Sequence, residues 1–131
     1  MFQTGQTILL VEDDEDDVFN FKRALKKTGI EIPVRIATDG QQAIDMLAQL
    51  QETDVPAMVF LDLKLPYHDG FEVLKWLRGQ SHLQNTEVVI LTGSEEPRDR
   101  QLADTLGARF YLVKPVSPSE ILRVFESSQV T

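Results

Sequence analysis

Ile8-Leu9-Leu10-Val11-Glu12-Asp13-Asp14 sets four apolar side chains in a row directly against three acids. Two later stretches have the same form: Met58-Val59-Phe60-Leu61 runs into Asp62, and Phe110-Tyr111-Leu112-Val113 runs into Lys114-Pro115. A fourth run, Val88-Val89-Ile90-Leu91, ends at the hydroxyl of Thr92. Unbroken apolar runs of this length read as strands buried on both faces of a parallel sheet. Ligands of such sheets bind beyond the carboxyl ends of the strands. With the four strands side by side, Glu12, Asp13, Asp62, the Thr92 hydroxyl and the Lys114 ammonium face one crevice.

Between the runs the pattern changes to helical spacing. A first strand over about 7–11 is followed by a helix over about 16–27, with Val18, Phe21 and Leu25 on one stripe and Gly29 as its stop. Pro33 to Ala37 forms a short strand, and Asp39-Gly40 turns into a helix with Ala43, Ile44, Leu47 and Leu50 inward. The strand over 57–61 leads through a loop, Leu63 to Gly70, into a helix carrying Phe71, Leu74 and Leu77. After the strand over 87–91, Ser94 or Glu95 caps a helix with Pro97 in its first turn and Leu102 and Leu106 facing in. The strand over 110–113 precedes a last helix, begun by Ser117, with Ile121, Leu122 and Phe125 inward. Five strand-helix alternations imply right-handed βαβ units and one parallel sheet covered on both faces. We expect one α/β domain over 1–131, its core at about 7–127, with the first six and last four residues loose.

Composition narrows the function. A chain of 131 residues has room for one real core. Its formal net charge is -8 and its Lys/Arg residues cluster no more densely than pairs, which argues against nucleic-acid binding. The absence of cysteine removes disulfides, zinc-thiolate sites and thiol nucleophiles. The longest apolar run, Ala57 to Leu61, is far short of a membrane span, and Met1 to Gln6 lacks the features of a signal peptide. The expected location is the cytoplasm.

Carboxylates crowded in a crevice need a counter-charge. Two of them about 4 Å apart repel by roughly 4 kcal/mol at an effective dielectric of 20. A shared proton, a cation from the protein or a metal can offset that. Mg²⁺ answers best, because it takes hard oxygen ligands, keeps several waters and favours phosphate oxygens as partners. An Asp so placed, with Lys114 and Thr92 around it, is equipped for phosphoryl transfer to its own carboxylate.

The chain resembles a response-regulator receiver domain of two-component signalling, with the CheY-like, flavodoxin-like (βα)5 fold. The residues that carry the likeness are Ile8 to Asp14, Phe60-Leu61-Asp62-Leu63-Lys64-Leu65-Pro66 with Asp69-Gly70, Ile90-Leu91-Thr92-Gly93, and Tyr111-Leu112-Val113-Lys114-Pro115. The resemblance implies strand order 2-1-3-4-5 and phosphorylation of Asp62 by a phosphohistidine of a histidine kinase or phosphotransfer protein. It implies Mg²⁺ held by Asp13, Asp62 and the main-chain carbonyl of Lys64, with Glu12 acting through a water. Thr92 and Lys114 would take phosphoryl oxygens, and Tyr111 would be the switch aromatic that turns inward when Thr92 moves. It implies a cis Lys114-Pro115 bond, although the residues alone favour trans. The acidic run Asp14 to Asp17 and Leu63-Lys64-Leu65-Pro66 are similar to stand-alone receivers paired with phytochrome-type kinases. Output through an unknown protein target is expected from the face at about 97–125, and a second copy of the chain is kept open as a partner.

Blander readings apply elsewhere. Asp14, Asp16 and Asp17 read as acids favouring a helix start. His68 and His82 read as solvent-exposed. Phe19 and Trp76 lie off or at the edge of their inward arcs and read as ordinary surface aromatics. Two rival functions are a Mg²⁺-dependent phosphohydrolase with an Asp nucleophile and a pseudo-receiver that binds partners without phosphorylation. The first expects a second Asp two residues after the nucleophile, where this chain has Lys64; the second expects a broken acid set.

Overall fold

The computed structural model describes residues 5–128, and the expectation of loose ends lies outside it for residues 1–4 and 129–131. Strands β1 (Ile8–Val11), β2 (Val34–Ala37), β3 (Met58–Leu61), β4 (Glu87–Thr92) and β5 (Phe110–Val113) form one parallel sheet of order β2-β1-β3-β4-β5. Helices α1 (Glu15–Thr28), α2 (Gly40–Ala48), α3 (Gly70–Arg78), α4 (Pro97–Thr105) and α5 (Pro118–Ser127) supply the crossovers, as the alternation requires. A 3-10 turn, Ser81–Leu83, was not legible as an element and seats Leu83 in the core.

Alternation along the strands divides the core in two. Leu9, Val11, Val59, Leu61, Val88 and Ile90 face α2, α3 and α4. Ile8, Leu10, Met58, Phe60, Val89, Leu91 and Leu112 face α1 and α5. On the second face Phe60 lies 4.8 Å from Phe21 and 6.3 Å from Phe125, centroid to centroid, so one aromatic from the sheet ties both helices.

The helix ends follow their sequence signals. Asp14 caps α1 by accepting from the N–H groups of Asp16 and Asp17, and Gly29 ends it at φ 82. Asp69 and Glu72 form a capping box on α3, and Ser117 and Glu120 form another on α5.

Three expectations are corrected. Leu102 and Leu122 point outward, 43% and 37% exposed; Ala103 and Val124 are the buried residues instead. On α5 the spacing Ile121, Val124, Phe125 is the true stripe, and Leu122 falls about 100° off it. Neither Ser94 nor Glu95 stands at the cap of α4: Glu96 holds that position and makes no side-chain capping bond. The Lys114-Pro115 peptide is cis.

Candidate functional site

The parallel register brings four strand ends to one edge of the sheet, those of β4 and β5 two residues beyond those of β1 and β3. Val11 pairs with Leu61, Leu61 with Ile90, and Thr92 with Val113. Glu12, Asp62 and Lys114 are each the next residue along, and ladder bonds continue into them. Glu12 N donates to Ala37 O at 2.9 Å, Asp62 N to Val11 O at 3.2 Å, and Lys114 N to Thr92 O at 2.8 Å. The sheet itself therefore fixes the backbone under each charge.

Lys114 Nζ lies 2.5 Å from Glu12 Oε1, 2.7 Å from Asp17 Oδ2 and 2.8 Å from Asp62 Oδ2. The ammonium donates hydrogen bonds to Asp17 and Asp62 and meets Glu12 as a close ion pair. Carboxylate oxygens of Glu12, Asp13 and Asp62 all lie within 4.8 Å of one another. Glu12 and Asp62 are buried, whereas Asp13 is exposed at the rim. Glu12 Oε2 accepts from Asp14 N at 3.1 Å, and Asp62 Oδ1 accepts weakly from Lys64 N at 3.3 Å. The Lys64 side chain is exposed.

Charge balance is incomplete. Burial pushes the Glu12 pKa up to about 7, against the pull of the Lys114 and Asp14 hydrogen bonds, and the charge on Asp62 adds to the rise. For Lys114 burial works the other way, but bonds to Asp17, Asp62 and Glu12 outweigh it and hold the ammonium above the ordinary lysine range. One cation thus serves a cluster of carboxylates, one of which still favours its proton near neutrality. The candidate ligand atoms of Glu12, Asp13 and Asp62 are all carboxylate oxygens, a set suited to a small divalent cation.

Beside this cluster, buried Thr92 accepts at Oγ1 from Ser94 N at 3.3 Å. The Tyr111 hydroxyl donates to Ser94 O at 3.0 Å, and the Arg100 guanidinium sits 4.6 Å from the centre of the Tyr111 ring. Ser94 Oγ donates to Asp99 Oδ2 at 2.6 Å. The segment after β4 is therefore held from three sides. Tyr111 itself is half-buried against the core of the α2, α3 and α4 face.

The loop after β3 is drawn tightly against Asp62. Gly70 N donates to Leu63 O at 2.8 Å, and a Cβ on Gly70 would stand 2.3 Å from Asp62 O. His68 is half-buried, with Nε2 2.8 Å from Gln41 Oε1 and Nδ1 3.4 Å from Glu72 Oε2. His82 lies 2.9 Å from Leu47 O through Nε2. Both histidines are thus partnered, which corrects the exposed reading; their partners sit 27 and 35 residues away. Phe19 is 62% exposed as expected, while Trp76 is half-buried against the core.

Asp17 is the site residue that sequence reasoning missed. Its place in the first turn of α1 already had a local explanation, and Lys114 lies 97 positions further on.

The comparisons agree with this geometry. Residues 8–126 match the response regulator receiver domain. The chain is 33% identical over 122 residues to the transcriptional regulatory protein GltR of Pseudomonas aeruginosa, covering 93% of this chain and 48% of that one. It is 36% identical over 122 residues to the probable methanogenesis regulatory protein FilR2 of Methanothrix harundinacea, covering 91% of this chain and 78% of the relative. It spans about half the length of several curated relatives, GltR among them. The solved structure of the bacteriophytochrome response regulator AtBRR superposes with a TM-score of 0.83 at 37% identity, over 96% of this chain and 94% of that one. Sheet order, strand-end chemistry and similarity lead to one assignment: this chain belongs to the response regulator receiver domain family of two-component signalling.

Proposed function

We propose that Asp62 accepts a phosphoryl group from a phosphohistidine on a histidine kinase or phosphotransfer protein, and that the domain relays the change through protein contact. The observation that carries this reading is the Lys114 ammonium, which reaches from the end of β5 past β4 and lies 2.8 Å from Asp62 Oδ2 at the end of β3. An Asp62 oxygen would attack phosphorus in line while the bond to the donor breaks. Lys114 would neutralise one equatorial oxygen, and the Thr92 hydroxyl would donate to another. Asp13, Asp62 and the Lys64 carbonyl would hold Mg²⁺, with Glu12 acting through a water. The ion would supply the charge neutralisation that one lysine cannot.

Tyr111 would report the state of Thr92 through the segment they share at Ser94, towards the face from α4 to α5. We read residues 1–131 as one receiver domain located in the cytoplasm, working as a switch rather than a turnover enzyme. Similarity to AtBRR supports a stand-alone regulator served by a phytochrome-type kinase.

A small acyl phosphate and Mg²⁺, followed by intact mass, test the reading. One added phosphoryl group, lost in Asp62→Asn, is the expected result. No adduct on the unaltered chain refutes it in favour of a pseudo-receiver. Steady phosphate release from a phosphomonoester refutes it in favour of a phosphohydrolase.

A further inference from the structure

We propose that Asp17 is the positioning residue for Lys114, a third carboxylate that holds the ammonium at the outer wall of the crevice during phosphoryl transfer. The inference rests on the phosphoacceptor reading above and names a part of that site which the chemistry of acceptor and metal does not require.

The geometry makes the case. Asp17 Oδ2 accepts from Lys114 Nζ at 2.7 Å, as close as either buried acid of the cluster comes within about a tenth of an ångström or two. Glu12 and Asp62 approach from inside, their side chains 2% and 8% exposed; Asp17, at 33%, approaches from the helix above. The ammonium is thus suspended between the sheet and α1. A long lysine stem has many rotamers, and its reach alone does not fix Nζ.

Transfer changes the balance of these contacts. When an Asp62 oxygen forms its bond to phosphorus, the P–O bond of an acyl-phosphate donor breaks and its electron pair leaves on the carboxylate product, so no proton is required. Asp62 ceases to be an anion, and its bond to Lys114 weakens. The freed N–H passes to a phosphoryl oxygen, while Glu12 and Asp17 keep the other two. Without Asp17 a single inner acid would hold the ammonium, leaving it one anchor at the moment its position counts.

The alternative role for Asp17 is a first-turn acid favouring the α1 dipole, which depends on charge alone. Asparagine separates the two, because it keeps an acceptor oxygen and loses the charge. Phosphorylation by acetyl phosphate in saturating Mg²⁺, read by intact mass on the full chain, should be about tenfold slower in Asp17→Ala. Asp17→Asn should recover to within about threefold of the unaltered chain. Calorimetric Mg²⁺ affinity should stay within about threefold in both variants. Equal rates in the Asn and Ala variants, or rates in both at or above that of the unaltered chain, would overturn the inference. An adduct on the unaltered chain keeps the phosphoacceptor reading in those cases; no adduct at all removes both.

Discussion

Alanine at position 70 sets a steric cost against a gain in helix propensity, and local geometry decides the sign. The added Cβ would lie 2.3 Å from Asp62 O, 2.6 Å from Leu63 Cα and 3.0 Å from the Asp62 carbonyl carbon. All three are main-chain atoms, and they are pinned by Asp62 N to Val11 O at 3.2 Å and Gly70 N to Leu63 O at 2.8 Å. An ordinary carbon-oxygen contact is about 3.3 Å, so one partner must retreat by about 1 Å. Overpacking of this kind costs about 1–3 kcal/mol, or more where backbone must move, and propensity returns at most about 1 kcal/mol. We expect a net loss of about 2 kcal/mol. At about 2.1 cal/mol/K of unfolding entropy per residue, a domain of this size melts about 7 °C lower. The retreating atoms carry Asp62, so acetyl-phosphate labelling should slow at least about tenfold. Gly79→Ala is the control: its nearest neighbour is Trp76 O at 3.4 Å, ordinary contact, and φ is -86, so Tm should hold or rise. Thermal unfolding of both variants by circular dichroism decides. A Gly70→Ala protein melting within about 2 °C of the unaltered chain would show that the backbone yields freely and that the reasoning is wrong.

Two further outcomes follow from the site and the far end of the sheet. Burial raises the Glu12 pKa from 4.5 to about 7, so the folded chain keeps a proton that the unfolded chain releases between those values. This contribution to stability is therefore full below pH 4.5 and is lost as pH rises through about 7. Urea unfolding in chelator should show the fall, on the order of 1–3 kcal/mol, and Glu12→Gln should flatten it; an unchanged slope in the variant refutes the assignment. Thr86, buried at the opposite end of the sheet, donates from Oγ1 to Pro56 O at 2.8 Å. Thr86→Val should lose about 1–2 kcal/mol by calorimetry, with Mg²⁺ affinity unchanged; a shift in affinity would show coupling that the separation does not predict.

The sequence made the strand ends legible because each apolar run stops at a charged or hydroxyl residue, and a parallel sheet sends all such stops to one side. That logic alone brings Glu12, Asp13, Asp62 and Lys114 together. Helix faces were read less well. Leu122 reads as inward from its apolar side chain alone, although the spacing of Ile121 and Phe125 leaves it aside. On α4 only Ala103 is buried, so the helix carries too weak an apolar stripe for periodicity to orient it. Asp17 and His82 escape because their partners are distant in the chain, and His68 in part for the same reason, since beside nearby Glu72 it meets Gln41 on another helix.

The shallow seating of α4 has a mechanical consequence. Lifting α3 would bare Val73, Leu74 and Leu77, at about 1.5–3 kcal/mol for each large side chain, whereas on α4 the fully buried residue is Ala103 and Leu102 is only partly covered. Its leading end carries no side-chain cap either. The helix at that corner is therefore the one with the least apolar seating, and its fastening falls to polar contacts, the Tyr111 phenol on the Ser94 carbonyl and the Ser94 hydroxyl on Asp99.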